Sequence, residues 1–591
     1  MKTFFRTFLA TLLALFLAII VGFFLFVGLI TGLSTIGEKQ TKVAKPNSVL
    51  VMELNRTIVD RTSENFFDKL FGSGFDEIQT DKKVGLNSLL AKIKSAKEDE
   101  NIRGILIRPE LLNAGMATVE ELRNALIDFK SSGKFVFSYA DFYTQKGYYL
   151  ASASDKIFLN PVGNVVFTGL SAQIMLFKNT LKKLGVEPQV IRHGKFKSAV
   201  EPFILDEISP ENRLQTATFL TSMWKHMLVK ISESRGVETT KLQTLADNLI
   251  LSSAQSAFEN KIVDSLIYFD ELKQFIVAKT EETKDKTFPN ISIYDYEPSS
   301  NKKSEKLITE QEKIAVIYAQ GEIGMRKGST TEIGTENIAK AIEKARNDEK
   351  VKAIVLRINS PGGSALTSEI ILREALLTKG KKPLIISMGD VAASGGYYIA
   401  CAADTIVAQP TTITGSIGVF GLLFNAKELL NSKLGINIST VSTAKNADFG
   451  SPFRQLSAEE KNAIQQQIEF IYKTFVNHVA KARNKSYDEI DNIGQGRVWS
   501  GIDAKSIGLV DVYGGLYDAI AIAAEKARIS DYRIEELPEV KDPFEQLFNP
   551  TDDAANILSQ NRWIQKSIQH FETLLNLNGI NARLEFDFEI Y

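Results

Sequence analysis

Residues 387–410, "SMGDVAASGGYYIACAADTIVAQP", repeat in outline an earlier stretch, "SYADFYTQKGYYLASASDKIFLNP" at 138–161. At the same offset, "KVKAIVLRINSPGGS" (350–364) aligns with "NIRGILIRPELLNAG" (101–115), and "WSGIDAKSIGLVD" (499–511) follows "SSAQSAFENKIVD" (252–264) closely. A period this long is a duplicated domain, since stacked repeats recur every 20–50 residues or so. Within each copy, short Val/Ile/Leu-rich runs alternate with charged helical stretches: "GILIR", "FVFSY" and "KIFLN" in the first, "AIVLRI", "LIISM" and "TIVAQ" in the second. Continuous apolar strands separated by helices predict a largely parallel sheet covered on both faces. The fold class expected is α/β, as two tandem domains.

The boundaries follow from composition. Residues 39–293 form the first repeat, the polar stretch 294–312 a linker, and 313–530 the second repeat. Residues 531–591 read as a helical, partly amphipathic tail. Residues 1–38 stand apart: after Lys2 and Arg6 no charge occurs until Glu38. Phe8 to Ile30 as a helix would span about 35 Å at about 1.5 Å per residue, enough to cross a bilayer. A cleaved signal peptide would have an apolar core of only about 7–15 residues before a small-x-small site. The stretch is therefore expected to be an uncleaved anchor with its N-terminus in the cytoplasm and the bulk of the chain across the membrane.

The rest of the composition excludes more than it selects. The 591 residues are 44% hydrophobic and 24% charged, with a net charge of −1, so no basic field favours nucleic acid. Cys401 is the single cysteine, which leaves no internal disulfide and no cysteine-rich zinc spacing. No G-x-x-x-x-G-K-[ST] loop occurs, and neither a metal nor a cofactor is expected.

Function is read from where the copies disagree. Ser394 lies between a strand and a helix, flanked by alanines and glycines; the first copy has Gln145 there. Gly362 and Gly363 face Asn113 and Ala114 of the first copy. A serine at a helix N-terminus beside bare backbone amides fits a nucleophile with an oxyanion site made of Gly395 and the Gly362-Gly363 turn, either of whose N–H groups could point inward, although "SPGG" alone signals only a turn. A base is then required. His226, His478 and His570 lie in helical segments outside the repeat's loops, and His193 sits in "VIRHGKFKSAVEPF" with Lys195 and Lys197. The corresponding "VSTAKNADFGSPF" keeps Lys445 but has Ala447 opposite Lys197. One copy has the serine without this lysine, the other this lysine without the serine. The complementarity predicts one site assembled from both copies, with Lys197 buried so that its amine can be neutral.

The stretches "SPGGS" (360–364), "GDVAASGGYY" (389–398), "TGSIGVFG" (414–421) and "GKFKSAVEPF" (194–203) resemble the signal peptide peptidase A family, also called protease IV. The resemblance runs from the anchor through both copies to "ARLEFDFEI". It implies a membrane-anchored serine peptidase with a crotonase/Clp-protease-like fold in each copy. Ser394 is then the nucleophile, Lys197 the general base in preference to Lys195, and Ser416 the residue that orients the lysine. It further implies a homotetramer on the bacterial inner membrane, facing the periplasm, that digests cleaved signal peptides and other short apolar peptides. The alternatives are a crotonase-like acyl-CoA enzyme using the same oxyanion turn on a thioester, and a non-catalytic membrane scaffold.

Overall fold

The computed structural model describes residues 43–62, 83–280, 288–297, 311–329, 331–539 and 579–584, with parts of a helix between residues 4 and 22. In the first unit β1 (Ser48–Glu53), β2 (Ile102–Arg108), β3 (Phe135–Ala140) and β4 (Lys156–Leu159) pair in parallel. β5 (Glu187–His193) leaves this sheet, and β6 (Ser265–Leu266) and β7 (Asn290–Ser292) complete it in the order β6-β4-β3-β2-β1-β7. The second unit repeats the order. β8 (Lys313–Gln320), β11 (Val351–Ser360), β13 (Leu384–Ala393), β14 (Thr405–Ala408) and β18 (Val512–Tyr513) match β1, β2, β3, β4 and β6, and β19 (Arg533–Leu537) matches β7. Two copies of one sequence pattern have thus made two sheets of one topology.

The apolar strands are buried on both faces, which is why they lack a polar alternation. Along β8, Ile314 and Val316 face Leu516, Ala519, Ile520 and Ala523 of one helix, Leu516–Ala527. Ala315 and Ile317 face the opposite way, into a core with Ile338, Ile342, Ile371 and Leu372. Each such aliphatic side chain contributes about 1.5–3 kcal/mol on burial.

A third sheet joins the units and carries the site. Its remaining members are β9 (Glu322–Ile323), β10 (Glu332–Ile333), β12 (Gly362–Ser364), β16 (Val419–Asn425) and β20 (Gly579–Arg583), in the order β10-β9-β12-β20-β16-β5. β5 of the first unit runs antiparallel to β16 of the second in seven residue pairs, from Glu187↔Asn425 to His193↔Val419. Below it, β15 (Ile413–Gly415) and β17 (Val498–Ser500) extend the second unit's main sheet from β13. A buried ionic cluster ties the units together. Arg357 donates from Nε to Asp60 Oδ1 and from Nη2 to Glu121 Oε1, both at 2.6 Å, and Asn359 Nδ2 donates to Asp60 Oδ2 at 2.6 Å.

One expectation needs adjustment, and another falls largely outside the described residues. The stretch after 530, read as a helical tail, supplies strands where it is described. β19 closes the second main sheet against β8, and β20 enters the third sheet between β12 and β16. "RIEEL" had no visible strand partner in sequence because its partner, β8, lies at the far end of the repeat. Of the anchor Phe8–Ile30, residues 8, 10–17 and 20–22 are helical, with Leu12, Leu13 and Phe16 exposed, and the others lie outside the described residues. Among the described residues, no helix is long and apolar enough to cross a membrane. In the linker, Tyr296 packs on the first unit, its hydroxyl donating to Asp99 Oδ2 at 3.0 Å, while 298–310 lie outside the described residues.

Candidate active site

Ser394 ends β13 and opens the short helix Gly395–Ala400. Its φ of +54° is a conformation an L-residue adopts at a cost of about 1–3 kcal/mol. Flanking strand pairing over-determines it. Ala393 sits opposite Gly415 in β15, and Ser394 N–H donates to Gly415 O at 2.8 Å. The small residues that flag the stretch in sequence are required here. A Cβ on Gly395 would stand 2.7 Å from Ser368 Oγ, and one on Gly396 would stand 3.0 Å from Ser360 O.

Lys197 reaches the serine from the other unit. β5 carries the chain along β16, and Gly194 turns it with φ +93°. Phe196 N–H then donates to Gln495 O at 3.0 Å, fixing the next residue. Gly496 lies flat on Lys197: a Cβ there would come within 2.6 Å of the lysine Cα and N. Behind the loop, Gln215 Nε2 donates to Phe196 O and Ser198 Oγ. The buried Glu201 accepts from Ser209 and Asn212 at the start of the helix Pro210–Arg235. These contacts explain why the sequence around the lysine reads "FKSAVEP".

Lys197 is fully buried, and its Nζ donates to Ser394 Oγ at 3.0 Å, to Ser416 Oγ at 2.8 Å and to Arg583 O at 2.5 Å. Ser416 is also held at positive φ, +49°, with its N–H donating to Arg497 O at 2.7 Å. The Ser394 hydroxyl lies 3.4 Å from Gly418 O as donor.

The glycine turn is close by but not uniform. Gly362 N–H donates to Ser360 Oγ at 3.1 Å, while Gly363 stands opposite Ala582 in the ladder of β12 with β20. Gly362, at φ +98°, leaves room: a Cβ there would be 2.3 Å from Ala582 O and 2.7 Å from Gly395 N.

The other candidates lie elsewhere. Lys195 is exposed, and the His193 ring stacks on Tyr472 with centroids 4.0 Å apart. His226 pairs with Glu120 and His478 with Glu369; His570 lies outside the described residues. Lys445, on the surface, pairs with Glu459. Burial pushes the Cys401 thiol up to about 12. Among the described residues no group of three or more His, Cys, Asp or Glu side chains could hold a metal ion.

In the first unit the corresponding position is filled. Gln145 Oε1 accepts from the backbone N–H groups of Thr168 and Gly169, each at 2.9 Å, and its Nε2 donates to Gly169 O. Asn113, opposite Gly362 in sequence, donates to Thr57 Oγ1. The helix Met116–Lys130 that follows is capped by Asp390 of the second unit, which accepts from Thr118 N at 2.9 Å and Thr118 Oγ1 at 2.7 Å. Burial raises the Asp390 carboxyl above its usual range. Gly496, Gln215, Glu201 and β20 escaped the sequence reading. Only the glycine in "GQG" (494–496) carried a local signal, and it reads equally as a turn.

The sequence matches peptidase family S49 over residues 128–282 and 377–530, segments that contain Lys197 and Ser394 respectively. It is 37% identical over 534 residues to Protease 4 of Salmonella typhi, covering 87% of this chain and 84% of that protein. With the chloroplastic serine protease SPPA of Arabidopsis thaliana the identity is 34% over 490 residues, 82% of this chain and 70% of the relative. A putative signal peptide peptidase SppA of Enterococcus faecium is 35% identical over 236 residues, covering 40% of this chain and 67% of the relative. Among solved structures, a point mutant of ClpP1 from Listeria monocytogenes is 16% identical, covers 35% of this chain and 94% of that one, and has a TM-score of 0.24, too low to carry an argument.

Proposed function

Because the chain belongs to peptidase family S49 and is a serine peptidase, we propose that Ser394 and Lys197 form its catalytic dyad, with one partner from each unit. The observation that carries the assignment is the fully buried Lys197 Nζ 3.0 Å from Ser394 Oγ. In the neutral form the amine accepts the hydroxyl proton as Oγ attacks the peptide carbonyl carbon. The oxyanion forms against the amides of Gly363 and Gly395; Gly362, its N–H turned to Ser360, provides the clearance. The resulting ammonium protonates the leaving amine, and the acyl-enzyme remains on Ser394. Water then enters and gives a proton to Lys197 as its oxygen attacks the acyl carbon; the bond to Oγ breaks, the ammonium returns the proton to Ser394 Oγ, and the carboxylate product leaves. Ser416 keeps the lysine aimed throughout by its 2.8 Å contact.

The substrates are short, already unfolded apolar peptides, cleaved signal peptides among them. The name carried by the Enterococcus faecium relative supports this, as does the charge-free run from Phe8 to Ile30, which tethers the enzyme to the inner membrane with both units in the periplasm. The exposed Leu434, Ile436, Ile438, Val441 and Phe449 support self-association into a tetramer. A fluorophosphonate probe tests the dyad. It labels the native enzyme at Ser394, and labelling of Ser394→Ala at the native rate would overturn the assignment.

A further inference from the structure

The turn 494–497 is the piece of the second unit that lies directly on the lysine loop. Gln495 O accepts from Phe196 N–H at 3.0 Å, Gly496 N–H donates to Ile417 O at 2.7 Å, and Arg497 O accepts from Ser416 N–H at 2.7 Å. One turn therefore touches both the neighbour of Lys197 and the loop that carries Ser416. It is conformationally costly, because Gln495 and Gly496 follow one another at φ +54° and +86°. A residue with a Cβ keeps a left-handed conformation only where its surroundings over-determine it.

Tyr472 supplies that determination. It is buried in the helix Ala458–Arg483, and its hydroxyl works in both directions. It donates to Asp491 Oδ1 at 2.5 Å and accepts from Gln495 N–H at 3.1 Å. Asp491 holds the same turn twice more, its Oδ2 accepting from Gln495 Nε2 at 3.0 Å and its carbonyl from Gly494 N–H at 3.1 Å. The Tyr472 ring meanwhile stacks on His193, the last residue of β5 before the chain turns to the lysine.

The first unit shows which part of this arrangement is special. Its helix Pro210–Arg235 has the same 26 residues, and Trp224 stands at the position of Tyr472. Trp224 Nε1 donates to Gln243 Oε1 at 2.8 Å, as Tyr472 donates to Asp491. An indole N–H cannot accept, so the tie to a backbone amide is open only to the second unit's tyrosine. The turn itself is common to both copies. In the register by which 499–511 follows 252–264, Leu249 corresponds to Gly496, and it too has a positive φ, +51°. Leu249 is exposed, whereas a Cβ on Gly496 would come within 2.6 Å of Lys197 Cα. The accepting hydroxyl and the glycine occur only in the copy whose turn carries a lysine.

We propose that Tyr472 is a positioning residue for the general base: its hydroxyl, held by Asp491 and holding Gln495, fixes the turn 494–497 and through it the place of Lys197 beside Ser394. The inference rests on the dyad reading above. Misplacing a reacting group by about 1 Å can cost about a hundredfold in rate, even when the change lies far from the chemistry. Since Tyr472 acts only through the lysine, its loss slows the chemical step and leaves peptide binding alone.

The test uses the full chain and a short peptide ester. Tyr472→Phe keeps the ring on His193 and removes only the oxygen. Its kcat falls at least tenfold, its KM stays within twofold, and its melting temperature drops by no more than a few degrees. Asp491→Ala, which frees the phenol to turn away, behaves alike and carries the comparison if Tyr472→Phe does not fold. In a Lys197→Ala background the fall vanishes, because two changes that act through one group do not add. A smaller fall in kcat, a loss that lies in KM, or an equal fall in the Lys197→Ala background overturns the proposal. Lys197→Ala with native kcat removes the dyad reading instead, and this proposal with it.

Discussion

Lys197 and Ser394 are 197 positions apart in the chain and 3.0 Å apart in space, each delivered by a different copy of the duplicated unit. If the two form the proposed dyad, replacing either by alanine should break one reaction step and leave both cores intact. Lys197→Ala lowers kcat for a peptide ester by about 10²–10⁴-fold, the usual worth of a general base. Lys197→Arg is as inactive, because a guanidinium does not release its proton. Lys195→Ala and His193→Ala keep most activity; a silent His193→Ala enzyme beside an active Lys197→Ala one would identify the wrong base.

A base that works only when neutral gives a rate that climbs with pH and levels off once the amine has lost its proton. The pH profile of kcat/KM should rise from the acid side with a limiting slope of one. Ser416→Ala, which removes the contact at 2.8 Å, should change both the height and the position of the rise. A flat profile from acid to neutral pH would exclude an amine as the base.

Gly496 tests the positioning of the lysine without touching its chemistry. At φ +86°, with any Cβ 2.6 Å from Lys197 Cα, Gly496→Ala must push the lysine loop aside. Activity should fall at least tenfold while the melting temperature moves by only a few degrees. Unchanged kinetics would mean that the loop's position does not control the base.

The Arg357 cluster predicts a stability effect far from the reaction. Arg357→Met leaves Asp60 and Glu121 as buried carboxylates without their cation, at a cost of about 3–5 kcal/mol. Thermal melting measures it, and a loss below about 1 kcal/mol would show the cluster to be dispensable.

Asp390 gives the pH dependence of stability a sign. Its carboxyl is raised above 3.8 by burial, so between the unfolded and folded values the native state binds more protons than the unfolded one. Its contribution is largest in acid and is lost as pH rises through the folded value. Asp390→Asn removes that part, so the difference in melting temperature between native and variant shifts in the variant's favour with rising pH. A difference independent of pH would contradict the burial assignment.

Cys401 should be inert. Its thiol is buried and pushed up to about 12, so iodoacetamide at neutral pH should leave activity unchanged. Loss of activity in step with alkylation would show that the helix after Ser394 opens.

Sequence alone revealed what is local or duplicated. The parallel sheets are legible because both-sided burial makes their strands uniformly apolar, and the meeting of Ser394 with Lys197 because Gln145 and Ala447 mark what each copy lacks. Contacts made at long range without a compositional mark stayed hidden. Nothing in "RIEEL" announces a strand that closes a sheet against residues 313–320. Nothing in "GINAR" announces insertion between Gly362–Ser364 and Val419–Asn425. That Gly362 N–H is turned to Ser360 Oγ depends on a side-chain direction that sequence does not specify.

The pairing of β5 with β16 also governs when the enzyme becomes dangerous to its surroundings. A ribosome makes the lysine-bearing unit first, with one edge of β5 waiting for a partner that is translated only after the nucleophile itself. Until residue 425 has emerged and closed that ladder, β5 lacks the strand that carries the chain towards Ser394, so on the dyad proposed above a truncated or stalled chain has no base to digest its neighbours with. The same delay exposes an unpaired strand edge during synthesis, which makes aggregation, and not stray proteolysis, the characteristic failure of an unfinished molecule.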